Sequence, residues 1–231
     1  MYKRNDNKKY VPEVKSTLRS KIIEVPKSIY GASGITILGN RIKSLIFTTD
    51  IAIIRNNNAG SIIAVYPFTP QLAIIDPILQ AAAVPVFVGV GGGLTTGNRS
   101  IGIALQAELM GAYGVVVNAP IKNEVIKEMK ETIDIPIIAT IGSLYDDYEK
   151  KIEAGASILN ISGGPNTIEI IKHIRENFSK EFPIIATGGR TEESILETIA
   201  AGANAIIYTP PSTAELFAEV MKKYRSKKRD S

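Results

Sequence analysis

Short apolar runs alternate along this chain with longer stretches in which apolar residues recur every three or four positions. Residues 134–164 and 181–211 follow one order: an apolar run, a glycine, an amphipathic stretch, a Gly-Ala turn and a second apolar run. A looser copy extends from Val84 to Val117. These are strand–helix–strand units, whose strands pair in parallel through right-handed crossovers. Three of them in tandem predict a repeating βα architecture.

Eight strand–helix pairs can be assigned along the chain in this way. The predicted strands cover residues 44–48, 61–66, 86–90, 114–118, 136–140, 157–161, 183–187 and 205–208. All are apolar on both faces, which is typical of buried parallel strands. Eight pairs in 231 residues predict a single (β/α)8 barrel, also called a TIM barrel.

An open, doubly wound α/β sheet is the alternative fold. Such a sheet usually carries a dinucleotide fingerprint at its first βα turn, and none is present there. The glycine cluster at residues 89–98, GVGGGLTTGN, also lacks the spacing of that fingerprint and a suitably placed acid. The closed barrel is therefore favoured.

Some helix boundaries carry clear sequence signals. Thr69-Pro70 predicts the start of the second barrel helix, and Asp76-Pro77 repeats the signal and predicts a break in it. Ser212 and Glu215 have the spacing of a capping box. The helix that they open is expected to bury one apolar face, formed by Leu216, Phe217, Val220, Met221 and Tyr224.

The chain divides into three parts on this pattern. Residues 1–42 lie outside the repeat and are interpreted as an N-terminal extension, residues 43–224 as the barrel, and residues 225–231 as a basic tail. In the extension, residues 12–23 are predicted to form a helix. Residues 34–45 are predicted to form a hairpin that turns at Gly39-Asn40.

The predicted hairpin carries Ile35, Ile37, Leu38 and Ile42, which need to be covered. Either the floor of its own barrel or a second subunit could cover them. Because closed two-fold symmetry is the commonest outcome when a subunit does so, we expect a homodimer.

Composition and charge exclude several classes of function. The net charge of +4 arises at the ends: residues 1–9 carry four basic groups and one acid, residues 222–231 six and one, and the body between them is −4. Binding to nucleic acid is therefore not expected, since it needs a basic face on the folded body. Without cysteine there are no disulfides and no thiolate ligands. No long apolar stretch or secretory leader is recognised, so we expect a cytoplasmic protein that does not enter membranes.

In a (β/α)8 barrel the reacting groups lie at the carboxyl ends of the strands. Asp50 is the one carboxylate there, and it is either a catalytic acid or base or the N-cap of the following helix. Asn118 is a candidate positioning amide, and Lys122 follows it four residues later. The single histidine, His173, falls in the middle of a helix, so neither a metal site nor a serine triad is predicted, and no cofactor is.

Glycines after two strands could bind an anion. Gly188-Gly189 follows the seventh barrel strand, and the neighbouring side chains Thr187, Arg190, Thr209 and Ser212 could add donors. Gly163-Gly164 after the sixth strand is a similar candidate. Alternatively these glycines make tight turns only. The run Arg55-Asn56-Asn57-Asn58 is interpreted as a turn, with binding of a polar substrate as the alternative.

At Pro183–Arg190 and Ala201–Tyr208 the chain resembles the phosphate-binding (β/α)8 superfamily, which includes thiamin phosphate synthase, ribulose-phosphate epimerase and N-acetylmannosamine-6-phosphate epimerase. Over its whole length it looks like a group of bacterial barrels that carry only an automatic "hydrolase" label. The matching stretches are FTTDIAIIRNNNA, YPFTPQ, NAP, IIATGG and YTPPSTAELF. The chain departs from the superfamily after the eighth strand, where Pro210-Pro211 removes two N–H donors from the expected phosphate site.

The resemblance implies an enzyme of isomerase, epimerase or lyase type that acts on a small phosphorylated metabolite. The expected partner is a small anionic ligand at the carboxyl face of the barrel. A ligand-binding or regulatory barrel without catalysis is the alternative, favoured by the few titratable groups at the strand ends. A hydrolase, as in the automatic label, is a further one.

Overall fold

A computed structural model describes residues 12–14, 16–17, 21–189 and 191–227 of the chain. Eight parallel strands close into a barrel, in the order β10-β3-β4-β5-β6-β7-β8-β9. They are β3 (Ser44–Phe47), β4 (Ser61–Ala64), β5 (Val86–Gly91), β6 (Gly114–Val117), β7 (Ile137–Ile141), β8 (Ile158–Ile161), β9 (Ile184–Thr187) and β10 (Ala205–Tyr208). The predicted single (β/α)8 barrel is confirmed.

A helix follows each barrel strand. The eight are α1 (Ile51–Arg55), α2 (Leu72–Ala81), α3 (Asn98–Leu109), α4 (Asn123–Thr132), α5 (Tyr148–Glu153), α6 (Thr167–Asn177), α7 (Glu192–Ala200) and α8 (Thr213–Lys227). No helix among the described residues is both long and apolar enough to cross a membrane.

The start of α2 differs from the prediction. The N-cap is Gln71 rather than Thr69, because the Gln71 N–H donates to the Tyr66 hydroxyl and its carbonyl accepts from the N–H groups of Ile74 and Ile75. The helix also continues through Pro77 without a break. Pro77 is the sixth of the ten residues of α2, and its missing N–H removes one intrahelical hydrogen bond.

The barrel has two apolar layers. Side chains that point inward form one cluster, which includes Leu45, Ile63, Phe87, Val116 and Ile185. Those that point outward from the strands pack against the helices and form a second, larger cluster. This alternation is the two-residue period of a strand with both faces buried.

The N-terminal hairpin closes the amino end of the barrel. Its strands β1 (Ile35–Ile37) and β2 (Asn40–Ile42) pair antiparallel, and Ile35, Ile37 and Ile42 belong to the inward cluster. The predicted hairpin is confirmed, but the turn is Leu38-Gly39, one residue earlier than expected. Both turn residues have positive φ (46° and 80°), as tight two-residue hairpins require.

The extension before the hairpin covers the outside of β3 and β10. Of residues 12–23, the described ones are not helical, so the predicted helix is wrong for them. Instead Ile23 pairs with Asn57 at the end of α1, and a 3₁₀ turn at Lys27–Gly31 packs on α7. Val25 and Ile29 join the cluster that contains Ile46 and Ile206. In an ordinary barrel the last helix would cover this face.

The last helix, α8, is left largely exposed. Phe217, Val220, Met221 and Tyr224 recur at helical spacing and are between 41% and 68% exposed. The prediction that this face is buried is therefore wrong for these four residues in the chain alone, whereas Leu216 is partly buried. Its position beside β3 and β10 is occupied by the N-terminal segment 23–34. An isolated helix of this length is marginal in water, so a covered apolar face would stabilise it.

These observations change the reason for expecting a dimer. The hairpin covers its own barrel floor and needs no second subunit, whereas the apolar stripe of α8 does need a cover. We therefore still expect a homodimer, with α8 in the contact. Light scattering at micromolar concentration should give about twice the 25.0 kDa monomer mass.

The variant Phe217→Glu/Met221→Glu should run as a monomer that still unfolds cooperatively, because both side chains are exposed in the single chain. Its melting temperature should lie below that of the dimeric wild type, because the cover over α8 is lost. Leu109→Glu, equally exposed on α3, is the control and should leave the dimer intact. A monomeric wild-type chain would contradict the expectation.

Candidate functional site

The carboxyl ends of the strands present two different arcs of inward-pointing side chains. Asn118, Thr140, Asn160 and Thr187 each follow an inward residue of β6–β9 by two positions and so share its face. Consistent with this, the Asn160 amide donates to Thr140 Oγ1 at 3.3 Å. The Oδ1 atom of Asn160 is buried and has no hydrogen-bond partner among the described residues. The opposite arc has the apolar or small side chains of Phe47, Val65 and Gly89.

Two pockets open at the mouth of the barrel, on the side of β3–β6 and β10. The larger has a volume of about 710 Å³, and its polar lining residues are Thr48, Thr49, Asp50, Tyr66, Asn118, Thr209, Ser212 and Glu215. The smaller has a volume of about 170 Å³ and lies against the loop that follows β5. The two adjoin, because Val65, Tyr66, Pro67 and Asn118 line both.

Asp50 caps α1 and faces the larger pocket. Its Oδ1 accepts hydrogen bonds from the N–H groups of Ala52 (2.8 Å) and Ile53 (3.3 Å), and the Thr213 hydroxyl donates to Oδ2. The hydrogen bond from Thr213 is the largest cause that lowers the pKa of Asp50. The partial burial of Asp50 opposes that shift. Asp50 is therefore both an N-cap and an ionised carboxylate at the mouth.

Tyr66 and Asn118 offer groups that a ligand could use. The Tyr66 hydroxyl accepts the N–H of Gln71 at 2.9 Å, and its own proton has no acceptor among the described residues. Asn118 is held through its backbone, which donates to Gly91 and accepts from Ile121. The side-chain amide of Asn118 is exposed and has no partner within the described part of the chain. Sequence reasoning gave Tyr66 no role, although its position at a strand end was the available signal.

Lys122 lies outside both pockets, as the N-cap of α4. A different lysine, Lys151 on α5, is only 5% exposed, and its Nζ donates to the carbonyls of Ala119 (2.9 Å) and Ile121 (3.2 Å). Burial lowers the pKa of Lys151. This lysine fixes the loop that follows Asn118. The sequence did not reveal it, because it is one of two adjacent lysines on a short amphipathic helix.

The glycines predicted to bind an anion lie away from both pockets. Gly163, Gly164, Thr187, Gly188 and Gly189 line neither of them. The Gly163 N–H already donates to Thr167 Oγ1 at 3.1 Å, and the Gly188 N–H to the Ile207 carbonyl at 3.4 Å.

The remaining anion candidates have different positions. Thr209 and Ser212 line the larger pocket, but the Ser212 hydroxyl and N–H both donate to Glu215 Oε2, which completes the predicted capping box. Arg190 lies outside the described residues. The structure thus brings Asp50, Asn118, Thr209 and Ser212 together and leaves Lys122 and the two glycine pairs apart from them.

The asparagine run after α1 is structural. Asn57 donates to the carbonyls of Ile53 and Ile54, and Asn58 Oδ1 accepts the N–H of Val25. These bonds end α1 and attach the N-terminal segment to it. The turn interpretation is confirmed.

The comparisons with known proteins support the fold. No family model matches the chain, and neither does any curated protein sequence. Among solved structures, phosphonopyruvate hydrolase in complex with oxalate and Mg²⁺ is 13% identical (TM-score 0.61), over 83% of this chain and 84% of that one. Phosphoenolpyruvate phosphomutase from Streptomyces platensis subsp. rosaceus is 15% identical (TM-score 0.60), over 88% and 85%. Inosine 5′-monophosphate dehydrogenase from Legionella pneumophila is 15% identical (TM-score 0.58), over 78% and 66%.

These likenesses place the chain among (β/α)8 barrels, and they add no support for a specific relation to thiamin phosphate synthase or ribulose-phosphate epimerase. Within the described residues, no three His, Cys, Asp or Glu side chains are grouped so that they could hold a metal ion.

Gly92 should tolerate no side chain. Its φ is +112°, and a Cβ there would lie 2.6 Å from the backbone nitrogen of Asn118. Gly92→Ala should lower the free energy of unfolding by about 2 kcal/mol or more, measured by urea denaturation. Gly102→Ala, in the exposed middle of α3 with open space around it, is the control and should raise it by about 0.5–1 kcal/mol. Equal effects of the two changes would contradict this account of Gly92.

Asp50 should contribute to stability only where it is ionised. Because its folded-state pKa is lowered, its contribution is complete above the unfolded-state value near 4 and is lost as the pH falls through the folded-state pKa. The stability advantage of the wild type over Asp50→Asn should therefore shrink between pH 5 and pH 3, as measured by urea unfolding at each pH. When Thr213→Val is combined with either form of residue 50, this advantage should shrink at a higher pH, because the hydrogen bond that lowers the pKa of Asp50 most is gone. If the difference in stability between the wild type and Asp50→Asn does not change with pH, Asp50 is not the ionised carboxylate described here.

Proposed function

We propose that this protein is an enzyme of isomerase or lyase type, which acts on a small phosphorylated metabolite bound in the mouth of the barrel. One observation carries the proposal: Asp50, Tyr66 and Asn118 line one pocket at the carboxyl ends of the strands. Its volume of about 710 Å³ lies within the range of small-molecule sites. Sites in barrels of this kind are formed at that end.

The three side chains suit proton transfer next to a polarised oxygen. Asp50 is ionised and acts as the base, taking a proton from the ligand when the Thr213 hydroxyl turns away from Oδ2. Tyr66 donates its unused proton to the oxygen on which negative charge develops. The Asn118 amide orients the same part of the ligand. Isomerases and lyases that remove a proton next to a carbonyl group both need these steps.

A phosphorylated ligand is supported by the names of two structural neighbours. They name phosphonopyruvate and phosphoenolpyruvate, which are small acids that carry a phosphonate or phosphate group. At 13–15% identity these neighbours support a class of ligand to be tested, and neither of their reactions is transferred to this chain.

A ligand-binding barrel without catalysis is the second candidate. The observation that favours it is that both carboxylate oxygens of Asp50 already accept hydrogen bonds, so its basicity is low in the free protein. A hydrolase is a third reading. No group of side chains in the described mouth favours it over the other two.

A thermal-shift screen tests the proposal. The panel comprises sugar phosphates and three-carbon phosphates and phosphonates, each also offered without its phosphorus group. A true ligand at 100 times its dissociation constant should raise the stability by about 2.7 kcal/mol, and Asn118→Leu should abolish the gain. No stabilisation by any phosphorylated compound would overturn the proposal.

Catalysis is then tested with the ligand that binds. Product should form with the wild type, and Asp50→Asn should lose turnover while it keeps the thermal shift. Binding by the wild type without any turnover would instead support the non-catalytic barrel.

A further inference from the structure

We propose that residues 91–97, the last residue of β5 and the loop to α3, bind the phosphate group of the ligand. This loop is called the glycine loop below, and its sequence is GGGLTTG. The inference rests on the proposed function and locates one end of the substrate. It puts the phosphate across the barrel from the β9 turn, since β5 and β9 are four strands apart in the closed ring of eight.

The glycine loop lines the smaller pocket. Gly91, Gly93, Leu94 and Thr95 form one of its walls, and Tyr66 and Asn118 lie on the border with the larger pocket. Its volume of about 170 Å³ is close to that of five or six water molecules. A phosphate group fits there, while the rest of a metabolite extends past Tyr66 and Asn118 towards Asp50.

Hydrogen-bond donors in the glycine loop are free. The backbone N–H groups of Gly93, Leu94 and Thr95 donate to no described residue. The Thr95 side chain is only 7% exposed, and its hydroxyl also has no partner in the described part of the chain. The Thr95 hydroxyl is not fully enclosed by protein, since Thr95 lines the smaller pocket, where a ligand can accept its hydrogen bond. Consecutive free N–H groups in a turn form a concave site for an anion.

Close packing fixes the glycine loop before any ligand binds. The Thr95 carbonyl accepts from the Gly92 N–H (2.8 Å) and from Ser100 Oγ (3.0 Å). A Cβ on Gly91 would lie 2.5 Å from both Ser100 Oγ and the Thr95 carbonyl oxygen, so a larger residue cannot enter. Donors held in place in this way bind without a further cost of ordering.

The charge around the glycine loop favours an anion more than the charge at the Gly188-Gly189 turn after β9 does. The twelve residues that line the smaller pocket include no carboxylate, and the first turn of α3 has no acid but does have Arg99. By contrast, α7 begins with Glu192 and Glu193, whose charges oppose a phosphate at the Gly188-Gly189 turn. The carboxylates Asp50 and Glu215 line the larger pocket, which keeps the phosphate away from that end.

Backbone amide spectra of the ¹⁵N-labelled protein test the inference with inorganic phosphate as the probe. At constant ionic strength, phosphate should cause saturable shifts of the amides of Gly93, Leu94 and Thr95. Potassium acetate should bind at least tenfold more weakly. Saturable shifts at Gly163, Gly164, Gly188 or Gly189 instead, or equal binding of acetate, would overturn the inference.

Two variants and a matched control sharpen the result. Thr95→Val removes the hydroxyl at nearly constant volume and should weaken phosphate binding about tenfold. Gly93→Glu, whose Cβ would meet open space, adds a carboxylate to the pocket and should abolish binding without unfolding the protein. Thr187→Val makes the same chemical change at the end of β9 and should have no effect. If Thr187→Val weakens binding and Thr95→Val does not, the phosphate belongs at β9.

The outcome is separable from that of the proposed function. Phosphate shifts at another part of the mouth overturn the glycine-loop site and leave the enzyme proposal standing. No saturable shift at all also overturns this inference, and the enzyme proposal is then decided by the thermal-shift panel.

Discussion

β10 pairs with β3 through Ile206–Ser44, Ile207–Leu45 and Tyr208–Ile46, and this pairing turns eight strands into a closed ring. Closure leaves no barrel strand with an unpaired edge. It also brings the last part of the chain to the first barrel strand, so that Thr213 reaches Asp50 and Thr209–Ser212 face Thr48 across one pocket. Without this one ladder of hydrogen bonds the larger pocket would have no second wall.

The barrel could be predicted from the sequence because its signals are local. Every barrel strand lies within about two residues of its predicted bounds, since an apolar run next to a glycine or proline marks a strand without reference to the rest of the chain. The prediction that the apolar face of α8 is buried was wrong for the opposite reason. Helical spacing of Phe217, Val220 and Met221 predicts an apolar face correctly, but it contains no information on what covers that face.

The candidate site, like the fold, could be predicted from the sequence only in part. Asp50 and Asn118 were found because the end of a strand can be located in sequence. The glycines could not be ranked, because Gly-Gly after β5, β8 and β9 looks alike in the sequence. What separates them is that the glycines after β5 line a pocket while the other two pairs do not, and that α7 begins with acids; the first of these is a property of the folded chain. Lys151 was missed because its burial depends on a loop 30 residues earlier.

The N-terminal segment has a consequence for how the chain folds. Ser33 accepts a hydrogen bond from Asn204, 171 residues later, and the Gly34 N–H donates to the Asn204 carbonyl. Segment 23–34, which covers β3 and β10, is therefore synthesised well before β10, because 171 positions separate Ser33 from Asn204. Contacts this far apart in the chain form slowly, because a long loop must be closed before they give any stability. Until β10 leaves the ribosome, Val25 and Ile29 have no complete surface to pack on, so this apolar segment stays exposed while the strands between are synthesised and is a site that a chaperone would meet.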